Sequence, residues 1–334
     1  MSIFLKKRQV LRTAAWSALF AITATIASLA ADVTSLSWRK LQPANSLPPR
    51  NLFAYGYDPV SKKIVIFGGS NDTGLLAETW TFDGTTWSQV TTATAPFARA
   101  GAAMAFDNTI HKLVLFGGTS GFVNLNDTWL WDSANSNWVE AQPNNIPPGA
   151  TGAIMFTDPV NGHVDMFGGF RGRFYSRDTF QWTGSDWQLL NPSTSPYPRM
   201  ASVIAQDPIH KNVVLFGGIS DNWVVQNTWT WDGSNWTQVK PKTQPPPLYW
   251  TSGGFDPRLG EVIVYGGGSE GVDQNTTWAW NGTNWRLLTP TKHPSAREQF
   301  GTAWFPPKRE FVIFDGSNFG SGQFFGDTWS LTAQ

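Results

Sequence analysis

The 334-residue chain contains no cysteine. That excludes disulfides, thiolate metal ligands, a cysteine nucleophile and a lipid-modified cysteine. Histidine is almost as scarce: His111, His163 and His210 recur at corresponding turns, and His293 stands in a different loop. Residues so dispersed do not converge on one ion, so no metal and no cofactor is expected. An excess of charge of one sign is missing too, with 24 basic and 24 acidic residues. Four of the basic ones, Lys6, Lys7, Arg8 and Arg12, lie before residue 31 and no acidic one does, which leaves 20 against 24 in the rest. A mildly acidic body lacks the basic field that phosphate backbones require, so no nucleic-acid partner is expected.

Long hydrophobic runs are absent except for one, from Thr13 to Ala30. The basic cluster before it and the small residues Ser28-Leu29-Ala30 at its end form the three-part pattern of a signal peptide. The expected organisation is a leader over residues 1–30 and one domain over residues 31–334, in a secreted or periplasmic protein. A retained anchor is the alternative, because eighteen helical residues span roughly 27 Å; membrane association would then follow.

What the chain does contain is a repeat. Hydrophobic runs end in a glycine pair, or once in Asp315-Gly316, with the second glycine at Gly69, Gly118, Gly169, Gly218, Gly267 and Gly316. The intervals are 49, 51, 49, 49 and 49 residues. A period near fifty made of short β-rich units marks an array in which each unit needs its neighbours. Tryptophan follows the same period, at Trp80, Trp129, Trp229, Trp278 and Trp329, and again at Trp87, Trp138, Trp187, Trp236 and Trp285. The sixth unit ends before its second tryptophan. Trp38, which precedes Trp87 by 49 residues, supplies it, so the N-terminal segment is expected to complete the last unit and close a ring.

Each unit reads as four antiparallel strands: a, as in Arg99 to Asp107; b, as in Leu113 to Phe116; c, as in Thr228 to Trp231; and d, from the second tryptophan. Asp83-Gly84, Asp232-Gly233 and Asn281-Gly282 provide tight c–d hairpins. The recurring order of Arg, Asp-Pro turn, Val-Leu-Phe-Gly-Gly and Thr-Trp-Thr-Trp-Asp-Gly-Ser-Asn-Trp resembles kelch repeats over roughly residues 34 to 334. The resemblance implies a β-propeller. The spacing independently implies an all-β fold with six four-stranded antiparallel blades.

Antiparallel connectivity separates two faces. If strand a runs from face one to face two, the a–b and c–d turns lie on face two and the b–c and d–a loops on face one. The a–b turns are near copies, whereas the b–c loops differ in every blade, and variable loops on a rigid frame are where binding usually resides. Trp223, in the blade-four loop, has no repeat-level structural reason and is expected to meet a ligand, together with Arg171, Arg173 and Tyr175 of the blade-three loop and Arg199. Trp250 and Trp304, on strand a, read as packing. Arg50, Arg99, Arg199 and Arg297 occupy one repeat position; they tie the scaffold or form a cationic cradle for an anionic ligand. The face-one carboxylates Asp72, Asp221, Glu270, Asp273 and Glu298 read as solvated groups or as an acid/base supply.

These features point to an exported propeller that binds carbohydrate or an exported protein on face one, flat aromatics stacking on sugar faces. The kelch resemblance implies two alternatives. One is a sugar-active enzyme like the exported sialic-acid mutarotases, with Arg297 and Glu298 as catalytic candidates by position. The other is a scaffold for protein partners. The same resemblance includes copper radical oxidases with a Cys-Tyr cofactor, which the absence of cysteine rules out.

Overall fold

The computed structural model describes residues 35–221 and 223–333; the leader expected over residues 1–30 lies outside them. Six four-stranded antiparallel sheets form the blades of a β-propeller. In blade one, strands a to d are Ala54–Asp58, Lys63–Phe67, Thr79–Phe82 and Trp87–Val90. The pattern repeats through blade five, whose strands are Ser252–Asp256, Glu261–Tyr265, Thr277–Trp280 and Trp285–Leu288. Blade six takes three strands from the C-terminal end and its outermost from Leu36–Lys40, with Trp38 opposite Leu331. The expected closure is therefore present.

Six apolar layers, each between adjacent blades, take the place of one central core. Strand b is buried almost throughout, which is why it reads as an unbroken apolar run rather than an alternation. Two rings of hydrogen bonds lock the layers. In the outer one, the indole Nε1 of each strand-d tryptophan donates to the threonine opening strand c of the preceding blade. The six pairs are Trp38–Thr277, Trp87–Thr328, Trp138–Thr79, Trp187–Thr128, Trp236–Thr179 and Trp285–Thr228, at 2.9 to 3.0 Å. A buried indole needs such a partner, so tryptophan and threonine repeat together.

The inner ring encircles the axis on face one. Leu52, Gly101, Gly152, Ala201, Trp250 and Gln299 each donate a backbone N–H to the carbonyl of the equivalent residue one blade earlier, at 2.7 to 3.3 Å, and Leu52 closes the circle on Gln299. All six have φ between 48° and 66°, the left-handed region that costs energy for any residue except glycine. Strand a consequently starts later than its sequence suggests: in blade two the ladder begins at Ala103, because Gly101 turns the chain over the ring. Below the ring lies an axial cavity of about 230 Å³ lined by residues such as Tyr55, Met104, Met155 and Ser252.

The glycine pair ending strand b serves the contact between blades. Its first member is left-handed, and a Cβ there would fall 2.2 to 2.7 Å from a carbonyl oxygen of the next blade, that of Arg99 in the case of Gly68 and that of Leu248 in the case of Gly217. The sixth blade places Asp315 there, with its carboxyl buried and pushed well above the ordinary range by desolvation.

Candidate functional site

Face one is built from two concentric sets of residues outside the inner ring. The segment entering each blade contributes Asn51, Ala100, Thr151, Met200, Tyr249 and Glu298. Each of these pairs with the residue after the glycine pair: Ser70, Thr119, Phe170, Ile219, Gly268 and Ser317. The two halves of this circle differ. Blades two to four supply Ala100, Met200, Phe170 and Ile219 with the threonines Thr119 and Thr151, whereas blades five, six and one supply Glu298, Asn51, Ser70 and Ser317 with Tyr249 and Gly268.

The polar arc is wired. Ser70 Oγ donates to Asn51 Oδ1 at 2.7 Å, Asn51 Nδ2 to Gln299 Oε1 at 2.7 Å, and Gln299 Nε2 to Glu298 Oε1 at 3.0 Å. Every donor in the chain points toward Glu298. Glu298 is 3 % exposed, and its Oε2 is buried with no hydrogen-bond partner. Desolvation, then the nearby Asp273 charge, pushes Glu298 up to about 7. Burial also raises Asp273, although the Phe319 N–H donates to it at 2.6 Å.

From blade five, Trp250 reaches past blade four to blade three. A Cβ at Gly152 of blade three would lie 3.1 Å from the far edge of its indole and 3.2 Å from Met200, so glycine leaves the space that the ring fills. Trp250 is half-buried and lines the axial cavity, at φ 48°. Sequence reasoning assigned it to packing; its place on the inner ring was not visible because the ring is made by backbone. Trp304 is a packing residue, under the Arg258 guanidinium at 5.2 Å.

Outside this circle the b–c loops form a crown. Four of them are short hairpins, as in Ile219–Ser220 with Trp223–Val224; in blades two and three a single bridge holds the hairpin. Trp223 thus sits on a paired strand rather than in an irregular loop, and it is exposed. Phe174 and Phe122 occupy the tips of the adjacent blades three and two, Phe319 that of blade six, and Phe97 and Tyr197 stand on the segments entering blades two and four. These six are the exposed aromatic residues among the described ones, and all six lie on face one. Exposed apolar residues of face two, Val60, Val160 and Ile209, are aliphatic.

The arginine pattern turns inward. Arg99 is buried; its Nε donates to Phe97 O, Nη1 to Gly117 O, and the fork grips Asp127 at 2.6 and 2.7 Å. Burial works against the Asp127 charge, yet the Arg99 bonds hold that carboxyl below its usual range. Arg50 and Arg297 repeat the arrangement on Glu78 and Asp327. Arg199 has only the neutral Asn227, and desolvation lowers it to about 10.

Blade three lacks this arginine at Ala150, and Arg171 takes over from the hairpin, binding Asp178 at 2.8 Å and lying over Phe180. Blade five drops both partners, with Leu248 and Thr276 at the two positions. Of the residues expected to converge, Arg171 and Arg199 therefore serve the scaffold, as Arg297 does, while Arg173 and Trp223 are exposed. Tyr175 packs on Phe170 at 5.2 Å. Arg171 was readable as a replacement only once Asp178 was aligned with Glu78 and Asp127.

Residues 22–218 match the family model described as the KLHDC2/KLHL20/DRC7 Kelch-repeats domain. The chain belongs to the kelch-repeat family. No curated protein matches it. Among solved structures, the one titled "Structure of YjhT" is similar, with a TM-score of 0.69 and 16 % identity over 87 % of this chain and 99 % of that one. At that identity the likeness concerns the fold. Kelch propellers bind proteins or small ligands, and this chain has the frame for either.

Proposed function

We propose that this kelch propeller is exported and binds carbohydrate on face one. The observation that carries the reading is the confinement of exposed aromatics to that face, since soluble surfaces rarely cluster them without a partner. Trp223, Phe174 and Phe319 supply flat rings on the crown, and Trp250 forms an aromatic floor. Asn51, Gln299 and their partners offer directional hydrogen bonds, the combination that fixes a polyol. Isothermal titration of the purified domain against oligosaccharides tests this. Binding that Trp223→Ala weakens, with no change in melting temperature, supports the reading; absence of binding across neutral, acidic and basic glycans overturns it.

A protein partner is the second reading, favoured by Phe97, Phe122 and Tyr197. They extend the aromatic surface outward across blades two to four, beyond the mouth. A Phe122→Ser variant that loses partner capture and keeps glycan binding would support it. The export step itself is tested by N-terminal sequencing of secreted material, which should begin near Ala31 or Asp32. An intact Met1 terminus in membranes would support the anchor instead.

A further inference from the structure

The acidic corner of face one is the part of the mouth that the neutral-sugar reading leaves unused. Glu298 Oε2 is buried without a partner, against Gly268 and the Tyr249 ring. A Cβ at Gly268 would lie 2.7 Å from Glu298 Oε2 and 2.5 Å from Tyr249. Gly268 has an ordinary backbone conformation, unlike the glycines that precede it, so space rather than a turn is the reason for it. Serine, threonine, phenylalanine or isoleucine fills the same position in the other five blades. In this one blade the absent side chain makes room for the Tyr249 ring, which lies against the unpartnered Glu298 Oε2 and closes the cradle that the carboxylate faces.

The charges around the cradle are of one sign. Tyr249 comes from the segment entering blade five and Asp273 from the blade-five hairpin. The blade-six hairpin and blade one face Glu298 with the uncharged Ser317 and Asn51. Arg297, next in sequence, has its guanidinium turned away onto Asp327, Asp315 O and Ser295 O. Among the described residues, two carboxyl groups thus lie side by side with no cation paired to Glu298.

We propose that this corner is a subsite for a protonated amino group, so that the glycan captured on face one carries a free amine, as an amino sugar does. The ammonium would donate to Glu298 Oε2 and Asp273, while the adjoining ring of Tyr249 offers its face to the cation. Tyr249 is half-buried and covers Oε2, so its side chain must swing aside for the amine to enter. Glu298, driven up to about 7, must be ionised to serve, or must pass its proton to a neutral amine as the pair forms; either way acidification weakens binding. The proposal rests on the carbohydrate reading for its ligand but not for its chemistry.

The test compares a fully deacetylated glucosamine tetramer with the N-acetylated tetramer by isothermal titration. The wild type is expected to prefer the amine about 10- to 100-fold, the range for a hydrogen bond to a charged group. Glu298→Gln, an isosteric change, and Asp273→Asn, on the exposed hairpin, should each pull the ratio toward one. Equal affinity of the wild type for the two tetramers, or a preference that survives both substitutions, overturns the proposal while leaving the carbohydrate reading in place. If neither tetramer binds, and no neutral or acidic glycan does, the carbohydrate reading falls. The subsite is then judged by titrating ¹³C-labelled protein with ethanolamine and following the Glu298 carboxyl carbon: a fall in its pKa supports the subsite, and an unchanged titration overturns it.

Discussion

The two faces of this propeller are made from the same strands and the same number of connections, yet they spend their residues differently. On face two the a–b turns of blades one to five are each capped by their own aspartate, as Asp58 accepts from the Val60 and Ser61 N–H groups and Asp107 from those of Thr109 and Ile110, while blade six turns through Pro306–Lys308 instead. The a–b turn also packs against the next blade's c–d turn. Asp58 accepts from Ser133 Oγ, and the His210 ring lies so close to Gly282 that a Cβ there would clash. Polar groups on that face are consumed by neighbours. Face one is tied to the frame by equally regular bonds, the inner ring and the arginine anchors, but its remaining residues break the sixfold symmetry. Repetition within one chain thus separates what holds the ring from what is free to bind.

The comparison would collapse most completely if the frame supporting both faces opened. Removing residues 32–42 strips blade six of its outer strand and breaks the Trp38–Thr277 link. The truncated domain should lose cooperative unfolding in calorimetry. A melting temperature equal to that of the full domain would contradict closure.

Arg99→Ala sharpens the division within face one, because it leaves Asp127 behind without its partner. It should cost roughly 3 to 5 kcal/mol of stability by denaturant titration, whereas Arg173→Ala, on an exposed tip, should cost almost nothing.

A buried anomaly in blade three gives the next effect. Asp165 stands where other blades carry valine or isoleucine, bonds Gln181, and is pushed up to about 8 by burial and the neighbouring Asp158. Its folded-state value lies above the ordinary one near 4, so the folded form holds the extra proton between these limits. Stability should fall as pH rises from about 4 to 8, and Asp165→Asn should make that slope shallower, leaving the share of Glu298 and Asp315. A slope unchanged in the variant would assign the pH dependence elsewhere.

On the binding side, Trp223→Ala should weaken glycan binding by about 1 to 3 kcal/mol with little change in melting temperature. The smallest effect is expected for Lys62, Lys112 and His210 on face two, whose replacement should leave affinity as it was. Loss of binding there would reverse the assignment of faces.

Much of this was legible in the sequence because repetition averages out local ambiguity. Five glycine pairs, one Asp-Gly and eleven tryptophans in register fixed the blade number, the strands and the closure by Trp38. The difference between the faces was legible from loop variation. The inner ring was not, since Leu52, Gly101, Gly152, Ala201, Trp250 and Gln299 share a backbone conformation and no side-chain chemistry. Arg171 looked unattached because its partner, Asp178, is recognised only by position in the repeat. Glu298 was marked by position alone. Its burial, its free oxygen and the opening at Gly268 depend on three segments far apart in sequence.

Hydroxyl-radical footprinting of the domain with and without saturating glucosamine tetramer tests the central claim most directly, because it reads both faces in one experiment. Protection is predicted at Trp223, Phe174 and Trp250 on face one, with Val60, Val160 and Ile209 on face two labelled equally in both samples. Protection of the three aliphatic residues, with the aromatics labelled as before, would contradict the assignment of binding to face one.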